Sequence, residues 1–185
     1  MWGDSLTPPV VANLQVLFFP NREVFNGGIS SETSSQIATR MLADGPAHNG
    51  WITVFWYGQN NQSDPAQTKA DLAASISALA PGNSRFLVLA VINEALPEES
   101  RGGPIYAKIV QLNIELAALY PQNFLEIRRV LVDHYNPAIA QDLIDFQNDV
   151  PPSSLRFADD PIHLNNNGSV LVARQISDFV NARGW

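Results

Sequence analysis

The sequence predicts an α/β fold: a three-layer α/β/α sandwich in which helices cover both faces of a mostly parallel sheet. Three observations carry this expectation. Short, almost wholly apolar runs such as Arg85 to Ile92 suit strands buried on both faces. Segments with helical spacing alternate with those runs along the chain. Polar or glycine-containing stretches, such as Gly58-Gln59-Asn60-Asn61 and Pro81-Gly82, punctuate the junctions. The 185 residues, 45% of them hydrophobic, suffice for one domain over 1–185 that buries roughly 70% of its unfolded surface.

Taken in order, Arg22 to Asn26 is a short strand candidate. Ser30 to Ala43 carries Ile37, Ala38, Met41 and Leu42 at helical spacing, with Ser30 or Ser31 able to cap its first turn. Trp51 to Tyr57 reads as a buried strand. Ser63-Asp64-Pro65 starts the next helix, which runs to about Leu79. Arg85 to Ile92 is the clearest central strand, and Asn93 to Pro104, rich in Glu, Pro and Gly, is a long surface loop. Tyr106 to Tyr120 is helical, Phe124 to Val132 contains a strand, and Pro137 to Asn148 is a shorter helix. A final helix follows Asn167-Gly168, with Val170, Leu171, Ala173, Ile176 and Val180 on its buried side.

Composition excludes several function classes. The formal charge of −7, without a basic cluster, argues against a nucleic-acid partner. No apolar run approaches the ~20 residues of a membrane-spanning helix, and no positively charged, apolar leader opens the sequence. The chain therefore reads as soluble, compatible with being a domain of a longer or secreted protein, and its compartment stays open. Zero cysteines exclude disulfides, thiolate metal sites and a cysteine nucleophile. The three histidines lie far apart and no HExxH spacing occurs, so metal catalysis has little support. The GxSxG elbow of larger hydrolases is also absent.

Two segments at opposite ends of the chain remain. Gly3-Asp4-Ser5-Leu6-Thr7 and Asp160-Pro161-Ile162-His163-Leu164-Asn165 supply a serine, a histidine and a carboxylate, the groups that activate a hydroxyl for attack. An Asp three residues before a His, with Pro161 stiffening the turn, can place its carboxylate beside the ring. His48 and His134 lie in loop-like sequence without such a neighbour. Each segment has a plainer reading too: Gly-Asp-Ser suits a turn, Asn60 suits a capped loop, Ser31 suits a helix cap, and an Asp/His pair suits a surface ion pair.

Four blocks in order, Gly3-Asp4-Ser5, Asn26 to Ser34, Gly58-Gln59-Asn60 and Asp160-Pro161-Ile162-His163, resemble the SGNH, or GDSL-type, serine hydrolases over nearly the whole chain. The resemblance implies a flavodoxin-like sheet of about five strands and ester hydrolysis through an acyl-enzyme, without cofactor or metal. Ser5 would be the nucleophile, His163 its base and Asp160 the residue orienting that base. Ser5, Ser31 and Asn60 would form the oxyanion hole. Ser31 falls where the family has glycine; a register using Gly28 leaves Thr33-Ser34 unmatched. A non-glycine residue with positive φ there would cost about 1–2 kcal/mol, and its hydroxyl could crowd or assist the hole.

The family also places a hydrophobic strand before GDS, whereas only Met1 and Trp2 precede Gly3, so the first strand is expected to be truncated and its loop poorly anchored. The substrate implied is a small-molecule or carbohydrate ester, with carbohydrate O-acetyl groups favoured because the rim loop (Asn93, Glu94, Glu98, Glu99, Arg101) is polar and no broad Leu/Phe-rich lid is evident. A lipase or thioesterase on longer acyl chains, or a non-catalytic carbohydrate-binding module, are the alternatives. Trp2, Trp56 and Tyr57 flank motif residues and suit either a pocket wall or the core.

Overall fold

In a computed structural model describing residues 1–185, five parallel strands form one sheet with the order β2-β1-β3-β4-β5. The strands are β1 (Trp2–Gly3), β2 (Gly27–Gly28), β3 (Thr53–Trp56), β4 (Phe86–Leu89) and β5 (Phe124–Leu125). The helices are α1 (Thr7–Phe18), α2 (Ser34–Asp44), α3 (Pro65–Ser77), α4 (Tyr106–Leu119), α5 (Ile127–Asp133), α6 (Ala140–Asn148) and α7 (Asn166–Ala182). This is the expected three-layer sandwich.

Side-chain alternation along the central strands divides the core in two. Val54 and Trp56 of β3, with Leu87 and Leu89 of β4, pack against Val10 and Leu14 of α1, Leu131 of α5 and Ile176 of α7. Phe55 and Val88, joined by Tyr57, face the other way onto Ile37 and Met41 of α2, Leu72 of α3 and Leu112 of α4. Burial on both faces explains why β3 and β4 read as unbroken apolar runs. It also settles the aromatic residues beside the motifs, because Trp2, Trp56 and Tyr57 are all buried in the core. Trp56 donates its indole N–H to the Ala90 carbonyl, and Tyr57 shares a hydrogen bond with Ser75, so their polar atoms are satisfied.

Several boundaries differ from expectation. Residues 22–26 form no strand; the edge strand is Gly27–Gly28 instead. Its identity is set by close approach. A Cβ on Gly27 would lie 2.7 Å from the Trp2 ring, and one on Gly28 would lie 2.6 Å from the Thr7 Cβ. Helix α2 begins at Ser34 rather than Ser30 because Thr33 is its N-cap, with Gln36 Oε1 accepting the Thr33 N–H at 2.9 Å. Neither Ser30 nor Ser31 caps it. Helix α1 was not anticipated at all, and only Phe124–Leu125 of the region 124–132 is strand, the remainder turning into α5 behind its Glu126 cap.

The first strand is two residues long and is held on both sides. Trp2 and Gly3 pair with Gly27 and Gly28 on one edge and with Phe55 and Trp56 on the other. The Gly3 carbonyl accepts the Ile29 N–H at 3.2 Å, so pairing continues to the end of the strand. The expectation of a poorly anchored loop is corrected accordingly. The surface loop expected over 93–104 is corrected in part: its Asn93 and Glu99 are 1% and 5% exposed.

Candidate active site

Ser5 follows β1 by two residues and precedes α1 by two. Asp4 shapes that crossing, its Oδ1 accepting the Leu6 N–H at 3.0 Å and its carbonyl accepting the Thr7 N–H at 3.2 Å. The Asp4 side chain is 2% exposed and Oδ2 has no hydrogen-bond partner. Burial pushes its carboxyl up to about 6, against the opposing pull of the Leu6 amide and of His163. The serine thus follows a desolvated carboxyl in the chain and stands just before the amino end of α1, whose dipole favours negative charge.

The chain's far end meets it there. His163 Nε2 is 3.1 Å from Ser5 Oγ, and His163 Nδ1 is 2.9 Å from Asp160 Oδ2. The other carboxylate oxygen of Asp160 accepts two backbone bonds, from Ile162 at 2.8 Å and His163 at 3.0 Å. Desolvation by itself would raise the Asp160 pKa, but these two amides and the His163 ring bring it below the ordinary carboxylate range. The acid stays ionised where it must hold a ring N–H. The three residues form a continuous Ser–His–Asp chain of hydrogen bonds.

Sheet register brings the remaining candidates to the same edge. Gly3 is aligned with Gly28 in β2 and Trp56 in β3, so Ser5, Ser31 and Asn60 follow the carboxyl ends of three adjacent strands. In open parallel sheets this edge is where ligands bind. Asn60 Nδ2 donates to the carbonyl of Glu32 at 2.9 Å, tying its loop to the residue after Ser31. That bond uses one of two amide N–H groups and leaves a donor. Ser31 is left-handed at φ 65, the backbone region that favours glycine. Ser31→Gly is expected to raise the unfolding free energy by about 1 kcal/mol, measured by urea denaturation, because the strained Cβ is removed. No direct hydrogen bond joins Ser31 or Asn60 to Ser5.

Sequence reasoning missed the residues that hold the His163 turn. Arg156 donates to the Pro151 carbonyl (2.9 Å), the Asp160 carbonyl (2.9 Å) and Asp145 Oδ2 (2.9 Å). Asn165 caps α7 with Oδ1, bonding the Asn167 and Gly168 amides, and clamps the chain with Nδ2 on the Ser154 and Arg156 carbonyls. The Phe157 N–H donates to the His163 carbonyl at 3.1 Å, and Arg156 and Leu164 form an antiparallel bridge. From the other side, Ala95 donates to the Pro161 carbonyl at 2.8 Å. Asn165 was legible as a cap beside the final helix; Arg156 has no local signature.

A cavity of about 180 Å³ opens beside the relay, lined by Ser5, Leu6, Pro9, Phe157, Asp160, His163, Leu164 and Ser169. His48 and His134 lie elsewhere: His48 stacks on Phe25 at 4.1 Å, and His134 is exposed at the end of α5. No family model matches the chain. A GDSL-like lipase from Bacteroides thetaiotaomicron superposes with a TM-score of 0.73 at 17% identity, over 98% of this chain and 86% of the other. The fold is that of the GDSL/SGNH hydrolases. The carbohydrate acetylesterase Est24 from Sinorhizobium meliloti shares this SGNH fold, with a TM-score of 0.67 at 16% identity over 98% of this chain and 96% of the other. In sequence, the chain is 27% identical over 151 residues to a tail spike protein of Salmonella phage epsilon15. That match takes in 75% of this chain but only 14% of the phage protein's length.

Proposed function

We propose that residues 1–185 act as a single catalytic domain, a serine ester hydrolase that removes short acyl groups from a carbohydrate. The observation that carries this reading is the unbroken relay from Ser5 Oγ through His163 to Asp160. Ser5 Oγ attacks the ester carbonyl carbon while His163 Nε2 takes the hydroxyl proton, and Asp160 stabilises the imidazolium that forms. The carbonyl oxygen becomes an oxyanion, met by the backbone N–H groups of Ser5 and Ser31 and by the Asn60 amide. Collapse of this intermediate breaks the carbon–oxygen bond to the alcohol, which leaves with the proton from His163. Water, deprotonated by the same ring, then attacks the acyl-enzyme and releases the acid with Ser5 restored. The route needs no cofactor.

A short acyl group is favoured because the sequence carries no broad Leu/Phe-rich lid for a long acyl chain. The likeness to a carbohydrate acetylesterase points the same way. A fluorophosphonate should label the protein at Ser5, and Ser5→Ala should abolish both labelling and hydrolysis of p-nitrophenyl acetate. Persistence of either in the variant overturns the mechanism. Across a series of nitrophenyl esters, activity should peak at acetate; a maximum at octanoate would replace deacetylation with lipase or thioesterase chemistry. Sugar binding with no labelling at all would make the domain a binding module.

A further inference from the structure

We infer that Phe157, with Pro9, forms the subsite for the leaving alcohol, an apolar platform for one face of the sugar ring whose ester Ser5 attacks. This inference rests on the hydrolase reading above and adds to it the position and chemistry of the alcohol. The first step is direction. His163 Nε2 must return its proton to the leaving oxygen, so that oxygen has to come within about 3 Å of the ring nitrogen, on the His163 side of Ser5. The cavity beside Ser5 lies on that side. Its walls come from the serine's own turn and α1 (Ser5, Leu6, Pro9) and from the segment carrying the base (Phe157, Asp160, His163, Leu164, Ser169). It includes no residue of the Asn26–Ser34 stretch or the Asn60 loop, where the oxyanion donors lie.

The second step is chemistry. Phe157 is 54% exposed, although it lines a cavity at the centre of the site, and its ring stacks on no other aromatic side chain. Pro9 beside it is exposed as well. An open aromatic face next to a proline ring suits a ligand that has one apolar C–H face and polar edges, which describes a pyranose or furanose ring. The cavity volume is that of one ring rather than of an extended chain.

The third step is rigidity. Phe157 bonds the His163 carbonyl through its N–H and the Asp160 amide through its carbonyl at 3.2 Å, so the platform and the base ride on one turn. A ring resting on Phe157 is thereby fixed relative to the nitrogen that protonates it.

The test compares Phe157→Ala and Phe157→Tyr with the parent on two acetates, an acetylated methyl xyloside and ethyl acetate. In Phe157→Ala, the ratio of kcat/KM for the sugar acetate to that for ethyl acetate should fall about tenfold, the size expected for loss of one aromatic contact. The change should appear mainly in KM, and Phe157→Tyr should restore it. An unchanged ratio, or equal loss on both esters, overturns the assignment. So does a loss in Phe157→Ala that grows with acyl length on nitrophenyl esters, since that would place the acyl chain in the cavity. A parent protein that cleaves neither acetate and resists fluorophosphonate refutes the hydrolase reading itself, an outcome separate from any effect of Phe157.

Discussion

His163→Ala is expected to lower kcat for acetate ester hydrolysis by about a millionfold, close to the loss from removing Ser5 and His163 together. The reason lies in how the relay is built. Ser5 Oγ has His163 Nε2 as its hydrogen-bond partner at 3.1 Å, and the ring's other nitrogen is committed to Asp160. Without the imidazole, the serine hydroxyl keeps its proton and is a poor nucleophile; without the serine, the imidazole has nothing to activate. The two act as a unit, so their effects should not multiply. Single-turnover kinetics on Ser5→Ala, His163→Ala and the double variant provide the measurement. Independent, multiplying effects, or a His163→Ala protein within tenfold of the parent, would show that another base serves Ser5.

The largest expected effect on stability belongs to Arg128, which makes no hydrogen bond to Ser5, His163 or Asp160. Its guanidinium is 5% exposed and bonds the Asp149 carboxylate, the Asp149 carbonyl and the Asn93 side chain. Asp149 also accepts from Tyr106 at 2.7 Å and from Arg129 at 2.6 Å. Removing one partner of a buried pair strands the other, so Arg128→Met should cost about 3–5 kcal/mol in urea denaturation. Adding Asp149→Asn should recover part of that loss, because the stranded charge is then gone. A loss below 1 kcal/mol would mean that Arg129 and Tyr106 satisfy the carboxylate without Arg128.

The same pair predicts acid sensitivity. Burial alone would raise the Asp149 pKa, but Tyr106, Arg128 and Arg129 outweigh it and hold the carboxyl below its ordinary range. A depressed folded pKa contributes stability that is complete above the unfolded value of about 3.9 and is lost as pH falls through the lower folded value. The parent should therefore lose stability over that acid window, and Arg128→Met should lose less there. Damage should also reach the site, because Asn93 opens the loop whose Ala95 amide holds the Pro161 carbonyl.

What could be read from the sequence follows the physics of each element. Strands β3 and β4 were legible because both their faces are buried, which favours apolar residues at nearly every position, Thr53 being the exception. Helices α3, α4 and α7 carried caps or helical spacing of their own. Strand β2 was not legible, since Gly27 and Gly28 have no strand preference and are placed by the bulk of Trp2 and Thr7 pressing on them. Helix α1 escaped because its run of Thr, two prolines and mixed apolar residues lacks a clear polar face and its N-cap, Leu6, makes no side-chain cap.

The candidate site divides in the same way. Ser5, Asp160 and His163 stood out in the sequence because that chemistry restricts residue types, and the fold brings the three within hydrogen-bond reach. Ser31 was placed by its register, and its left-handed backbone agrees with that placement. Arg156 was invisible, since its partners at Pro151, Asp145 and Asp160 meet only in the folded chain.

The Arg156–Leu164 bridge closes a short excursion of the chain that carries Phe157, Asp160 and His163 together. The residues that would bind the oxyanion belong to other loops. A segment exchanged at this bridge would thus bring a new base, its orienting acid and the aromatic half of the alcohol platform as one cassette, with Ser5 and Pro9 left in place on their own turn and helix. Selectivity toward the alcohol would then be open to change by loop transplantation.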